Sequence, residues 1–127
     1  MKQVQMKVLL SIKPKFAEKI FNGTKKFEFR RSVFKNPNIK TIVVYASFPV
    51  QKVIGEFDIN RIICKNVHDL WEYTQQHAGI DRNYFFDYFS DKENGYAIEV
   101  KRSRKYKKPL LLKENFNMVP PQSFAYI

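Results

Sequence analysis

Residues 52–64 read KVIGEFDINRIIC. The stretch reads as one long strand, and Gly55 within it marks a bulge or bend of the kind that curls a sheet toward a barrel. Upstream, Pro49 marks a break, and TIVVYAS (41–47) is a second strand, suited to burial. A polar stretch with Asn36, Pro37 and Asn38 separates it from a strand at about 25–31. Before that strand, Phe16, Ala17, Ile20 and Phe21 share one face of a short helix that Pro14 can open and Asn22-Gly23 can end. MKVLLSI (6–12) is a nearly continuous apolar run, suited to a strand buried on both faces. Downstream come two helical segments. Leu70, Trp71 and Thr74 share one face of the first, which Gly79 ends; Tyr84, Phe85, Tyr88 and Phe89 share one face of the second and read as core. Asn94-Gly95 signals a turn into the strand YAIEVKRSRKY (96–106), with KPLLL (108–112) as a last short strand and the remainder as an extended tail.

The order β-α-β-β-β-α-α-β-β predicts an α+β fold: a mostly antiparallel sheet curled into a small barrel, with helices at its ends. The chain of 127 residues carries no internal repeat, low-complexity tract or Gly/Ser linker, so one domain over 1–127 is expected. No apolar run approaches the roughly 18–20 residues of a membrane span. The start, MKQVQMKVLLSIKPK, has too short an apolar stretch for a signal peptide. The single cysteine, Cys64, excludes an internal disulfide and fits a reducing compartment, with the cytoplasm as default.

Net charge is +11, unevenly spread. Residues 67–93 carry a net −4 and the rest of the chain +15. Such a basic body points to a polyanionic partner, nucleic acid first and RNA before DNA. The acidic segment 67–93 is a candidate surface for a basic protein partner. The densest basic stretch, KRSRKYKK (101–108), offers Lys101, Arg102, Arg104 and Lys105 to phosphates, and Tyr106 as a ring on which a base could stack. Glu56 and Asp58 share a strand face with Lys52; a paired-acid site is one reading, and neutralisation by neighbouring bases is the commoner one. Cys64, His68 and His77 match no common zinc spacing, so no metal or other cofactor is expected.

The stretch NGTKKFEFRR (22–31) poses a sharper question. In a regular strand Glu28 and Arg30 point to one face and Phe27 and Phe29 to the other. A carboxylate beside cations can recognise a ligand or act as a general base, and Arg30 can grip a phosphate at two points. The alternative is an ordinary ion pair on a sheet surface, worth about 0–1 kcal/mol.

Three segments in order, LLSIKPKFAEKIFNGTKKFEFRR, then VVYAS with VIGEFDI, then PPQSFAYI, resemble the ASCH domain (activating signal cointegrator homology) of the PUA-like superfamily. The likeness covers about residues 6–127, and its most specific part is G-x-K-x-x-E-x-R, here Gly23, Lys25, Glu28 and Arg30. It implies a β-barrel flanked by helices, and a nucleic-acid-binding cleft that includes Lys25, Glu28 and Arg30. Lys13 and Lys15, before and within the first helix, are candidates to assist binding there. It also implies a hydrolytic alternative, with Lys25 and Glu28 as catalytic groups. In a ribonuclease, Glu28 would take the proton of a 2′-hydroxyl. In the branch that deacetylates N4-acetylcytidine, a threonine stands where this chain has Glu28.

Overall fold

The computed structural model describes residues 5–127. Residues 1–4, the start of the segment read as lacking a leader and of the expected domain, lie outside them. Six strands form one sheet in the order β2-β5-β4-β3-β1-β6. They are β1 (Val8–Ile12), β2 (Phe27–Arg30), β3 (Thr41–Ala46), β4 (Lys52–Asn66), β5 (Asn94–Leu110) and β6 (Phe124–Tyr126). Every pairing is antiparallel except β1 with β3. Among the described residues four α-helices accompany the sheet: α1 (Pro14–Phe21), α2 (Val67–Thr74), α3 (Arg82–Tyr88) and α4 (Leu112–Phe116). None of the described helices is long and apolar enough to cross a membrane.

Curvature comes from the two long strands. The register of β4 slips against β5 between Val53 and Gly55, and again on either side of Ile59. At Gly55 the neighbouring chain comes very close: a Cβ there would stand 2.5 Å from the Arg104 carbonyl oxygen and 2.6 Å from the Phe21 ring. Glycine is therefore required by close approach, and the bend expected at this position is present. The curled sheet is a half-barrel. Its edge strands, β2 and β6, are not paired to each other, so an open seam remains between them.

Alternation sorts the apolar residues into three clusters. Val8, Leu10 and Ile12 of β1 join Ile42, Val44, Phe57 and Ile98 in the main core, which Ala17 and Ile20 of α1 cover. Leu9, on the other face of β1, packs with Val43, Tyr45, Val53 and Leu112. Beneath α2 and α3, Phe27 and Phe29 meet Leu70, Phe85 and Phe89. Within the run 6–12, the strand Val8–Ile12 is thus buried on both faces, while Met6 is exposed.

Three expectations change. Asn94 and Gly95 are not a turn but the first residues of β5, paired with Asn66 and Lys65. KPLLL is not a separate strand: residues 108–110 continue β5, because β4 still offers Val53 as partner to Leu110. The tail is not wholly extended either. Leu112 and Phe116, four apart on α4, both pack on the cluster around Leu9, which a helical turn permits and an extended chain would not. β6 then adds an edge strand beside β1.

Gly55→Ala is expected to destabilise the protein by about 1–3 kcal/mol, the usual range for overpacking, as read by urea denaturation. A loss under about 0.5 kcal/mol, the scale of neutral surface changes, would contradict the close-approach account.

Candidate functional site

The turn between α1 and β2 aims one lysine inward. Gly23 takes φ +86°, which ends the helix. The Lys25 amide then donates to the Lys19 carbonyl at 3.0 Å, and the Lys26 amide to the His77 carbonyl at 2.9 Å. The chain is pinned on both sides, so Lys25 is only 2% exposed while Lys26 faces solvent. The Lys25 Nζ donates to the Ala78 carbonyl at 2.7 Å and lies 4.8 Å from the Phe29 ring centroid and 5.4 Å from that of Phe16. Its stem rests on Gly79, where a Cβ would come within 2.5 Å of the Lys25 Cβ and Cγ. Gly79 therefore ends a helical turn and also makes room for the lysine. Burial pushes the ammonium down to about 8; the Glu28 carboxylate opposes this, and Lys19 adds to it.

Glu28 is 7% exposed and sits opposite Ile98 of the main core. Its Oε2 is 3.1 Å from Arg30 Nη2. Arg30 in turn closes the seam of the half-barrel. Its Nη2 donates to the Ser11 carbonyl in β1 at 2.8 Å, and its Nη1 meets Ser123 Oγ, just before β6, at 3.5 Å. The Ser11 hydroxyl donates to the Pro121 carbonyl at 2.8 Å, latching the C-terminal segment to the same place. The Arg30 Nε–H is buried without a partner among the described residues. The Glu28–Arg30 pair is thus part of a lined interior and not an ion pair on a solvated sheet face.

Lys25, Glu28, Arg30, Lys13, Tyr84 and Tyr88 are among the residues lining one cleft of about 150 Å³ at this seam. Lys13 Nζ donates to the Tyr84 hydroxyl at 3.0 Å, and the Tyr88 hydroxyl to the Phe29 carbonyl at 3.2 Å. Burial raises the Tyr88 phenol above its ordinary range. Tyr84 and Tyr88 are therefore cleft residues, while Phe85 and Phe89 from the same helix face are core. The signal for this was a tyrosine at those two positions, since a partly buried phenol needs a hydrogen-bond partner. Ser11 and Gly79 carried no such signal.

The other sequence-derived candidates lie elsewhere. Lys15 borders a neighbouring depression and not the cleft. None of Lys101, Arg102, Arg104, Lys105 and Tyr106 lines either one. Arg104 Nη2 is 2.7 Å from Glu56 and 2.9 Å from Asp58, and Tyr106 donates to Glu56 at 2.8 Å. Lys105 pairs with Glu18 at 3.0 Å and Arg102 with Asp58 at 3.8 Å; both are exposed, as is Lys101. Hydrogen bonds from Arg104 hold Asp58 below its usual range; at Glu56 burial acts upward, but bonds from Arg104 and Tyr106 prevail. The two acids are neutralised by their neighbours. Cys64, His68 and His77 do not converge, and no group of three metal-ligating side chains occurs among the described residues.

The curled α+β half-barrel is shared with ASCH domains, and this chain belongs to that family. The ASCH domain profile matches residues 10–118. A Zymomonas mobilis protein named ASCH domain-containing ribonuclease is 30% identical over 123 residues, covering 94% of this chain and 82% of that one. The crystal structure of ASCH from Zymomonas mobilis is similar at TM-score 0.87 and 31% identity, covering 95% of this chain and 87% of the other. A Ureaplasma parvum protein named ATP synthase subunit alpha is 32% identical over 122 residues; the match takes in 94% of this chain but only 15% of that protein.

A buried lysine with a lowered pKa has a defined linkage to stability. Between pH 8 and 10.5 the unfolded chain holds a proton on Lys25 that the folded one has released, so stability rises with pH across that window. Wild type should gain on Lys25→Met as pH rises through it, as read by denaturation midpoints. A constant difference between the two proteins would contradict the burial of the charge.

Proposed function

We propose that this domain binds RNA through the seam cleft. One observation carries the reading: Lys25 and Glu28 are 2% and 7% exposed, yet both line an open cleft with Arg30. Removing charges from water is costly for folding, and a cluster kept at that cost in a concavity is the mark of a ligand site. The cleft holds three cations, Lys13, Lys25 and Arg30, against one carboxylate, which suits a phosphate. The unpartnered Arg30 Nε–H is one donor still free for an oxygen. RNA is favoured over DNA by the name of the Zymomonas relative. Exposed Lys101 and Arg102 add long-range attraction, while Arg104 and Tyr106 serve the β4–β5 contact.

Strand cleavage is a second reading, favoured by the lysine that burial brings down to about 8 beside Glu28. Glu28 would take the proton from a 2′-hydroxyl, and that oxygen would attack the adjacent phosphorus. Arg30 would offset the charge on the phosphoryl oxygens, and the Lys25 ammonium would give a proton to the 5′-oxygen as it leaves, so that a 2′,3′-cyclic phosphate and a 5′-hydroxyl result. Deacetylation of N4-acetylcytidine has less support. The threonine of that branch is replaced by Glu28, and Thr24 is exposed, its hydroxyl donating to Asn22 Oδ1 at 2.7 Å.

Single-stranded RNA is expected to bind with an affinity that falls steeply with salt, and Lys13→Ala should lower that slope by about 0.7. Absence of binding at low salt overturns the proposal. If cleavage is the activity, Glu28→Gln should slow it about 100-fold or more while leaving binding largely intact. Equal cleavage by variant and wild type removes that second reading.

A further inference from the structure

A second depression, of about 130 Å³, adjoins the cleft. Phe16, Ile80 and Tyr84 line both, so these three side chains form the divide between them. Lys15, Lys19 and Asp81 line the depression but not the cleft. The Tyr84 ring is steadied without being buried. It packs edge-on to Phe16, with centroids 5.3 Å apart and planes at 80°. The α3 turn beneath it is fixed by Asp81 Oδ1, which accepts from the Tyr84 amide at 2.7 Å. The exposed Lys13 and Lys15 ammoniums lie 5.5 Å and 5.6 Å from its centroid.

Resting on the RNA reading above, we infer that this depression is the subsite for the nucleotide flanking the one in the cleft. Tyr84 is its stacking platform, and Lys15 and Lys19 are its phosphate contacts. The argument is one of continuity. A polynucleotide needs alternating places for phosphates and rings, and here cation, aromatic divide and cation follow one another across adjoining hollows. Exposed cation–π contacts are weak, so Lys13 and Lys15 can turn to phosphates and leave the ring to a base. Lys19 now donates to the Gly79 carbonyl at 2.9 Å, which leaves two of its three donors free. Asp81 is held at the α3 cap, where its Oδ1 accepts from the Tyr84 amide. Any base offers a π-face, so the subsite should tolerate sequence.

The test is binding of fluorescein-labelled hexauridylate by anisotropy across a salt series. Tyr84→Leu should weaken binding about 5- to 100-fold, the range for losing one stacked base, and Tyr84→Phe should recover most of that loss. Lys15→Ala/Lys19→Ala changes only exposed residues and should lower the slope of log affinity against log salt by about 1.4. The subsite is overturned if wild type binds and this double variant keeps both affinity and slope. It is equally overturned if Tyr84→Phe is as damaging as Tyr84→Leu. Failure of wild type itself to bind overturns the RNA reading, and the subsite with it.

Discussion

The ammonium of Lys25 is the constraint around which the site is built. It is held out of water by Phe16 and Phe29, donates to the Ala78 carbonyl, and is compensated by Glu28. A buried cation is tolerable only if its partners are fixed in place. The four partners come from three parts of the chain. Phe16 is on α1, Phe29 and Glu28 are on β2, and Ala78 lies between α2 and α3. Holding this one charge therefore sets how the helical segment 67–89 seats against the sheet edge, and Gly79 leaves the space for the lysine stem.

The unclosed sheet explains why the site lies where it does. The bends in β4 and β5 bring β2 round toward β1, but the side chain of Arg30, and not a ladder of backbone bonds, spans the gap. A side-chain bridge leaves a hollow that a closed barrel would fill. β2 is an edge strand, yet Phe27, Glu28 and Phe29 are all buried, because the helices cover one face and the seam encloses the other. The C-terminal segment, tied at Ser11 by Pro121 and Ser123, completes the wall. Fold and site share the same few contacts.

Much of this was legible in the residues. The long strands, the bend at Gly55, the stop at Gly23 and the pairing of Glu28 with Arg30 follow from composition and period. What was hidden depends on contacts distant in sequence. Strand parity set Lys25 apart from Glu28; only the turn, bonded to Lys19 and His77, brings them together. Tyr84 and Tyr88 share a helical face with Phe85 and Phe89, and periodicity has no way to separate core from cleft among them. The basic stretch 101–108 looked like one surface. In three dimensions Arg104 and Tyr106 are claimed by Glu56 and Asp58, whose pairing across β4 and β5 a linear reading does not reveal.

The central claim is that RNA enters the seam and does not merely coat the basic surface. An NMR titration of the 15N-labelled protein with a short single-stranded RNA tests it most directly. The account predicts that the largest amide shifts fall on residues 11–13, 25–30 and 79–84, at the two hollows. Shifts confined to residues 101–108, with the seam unchanged, would contradict it.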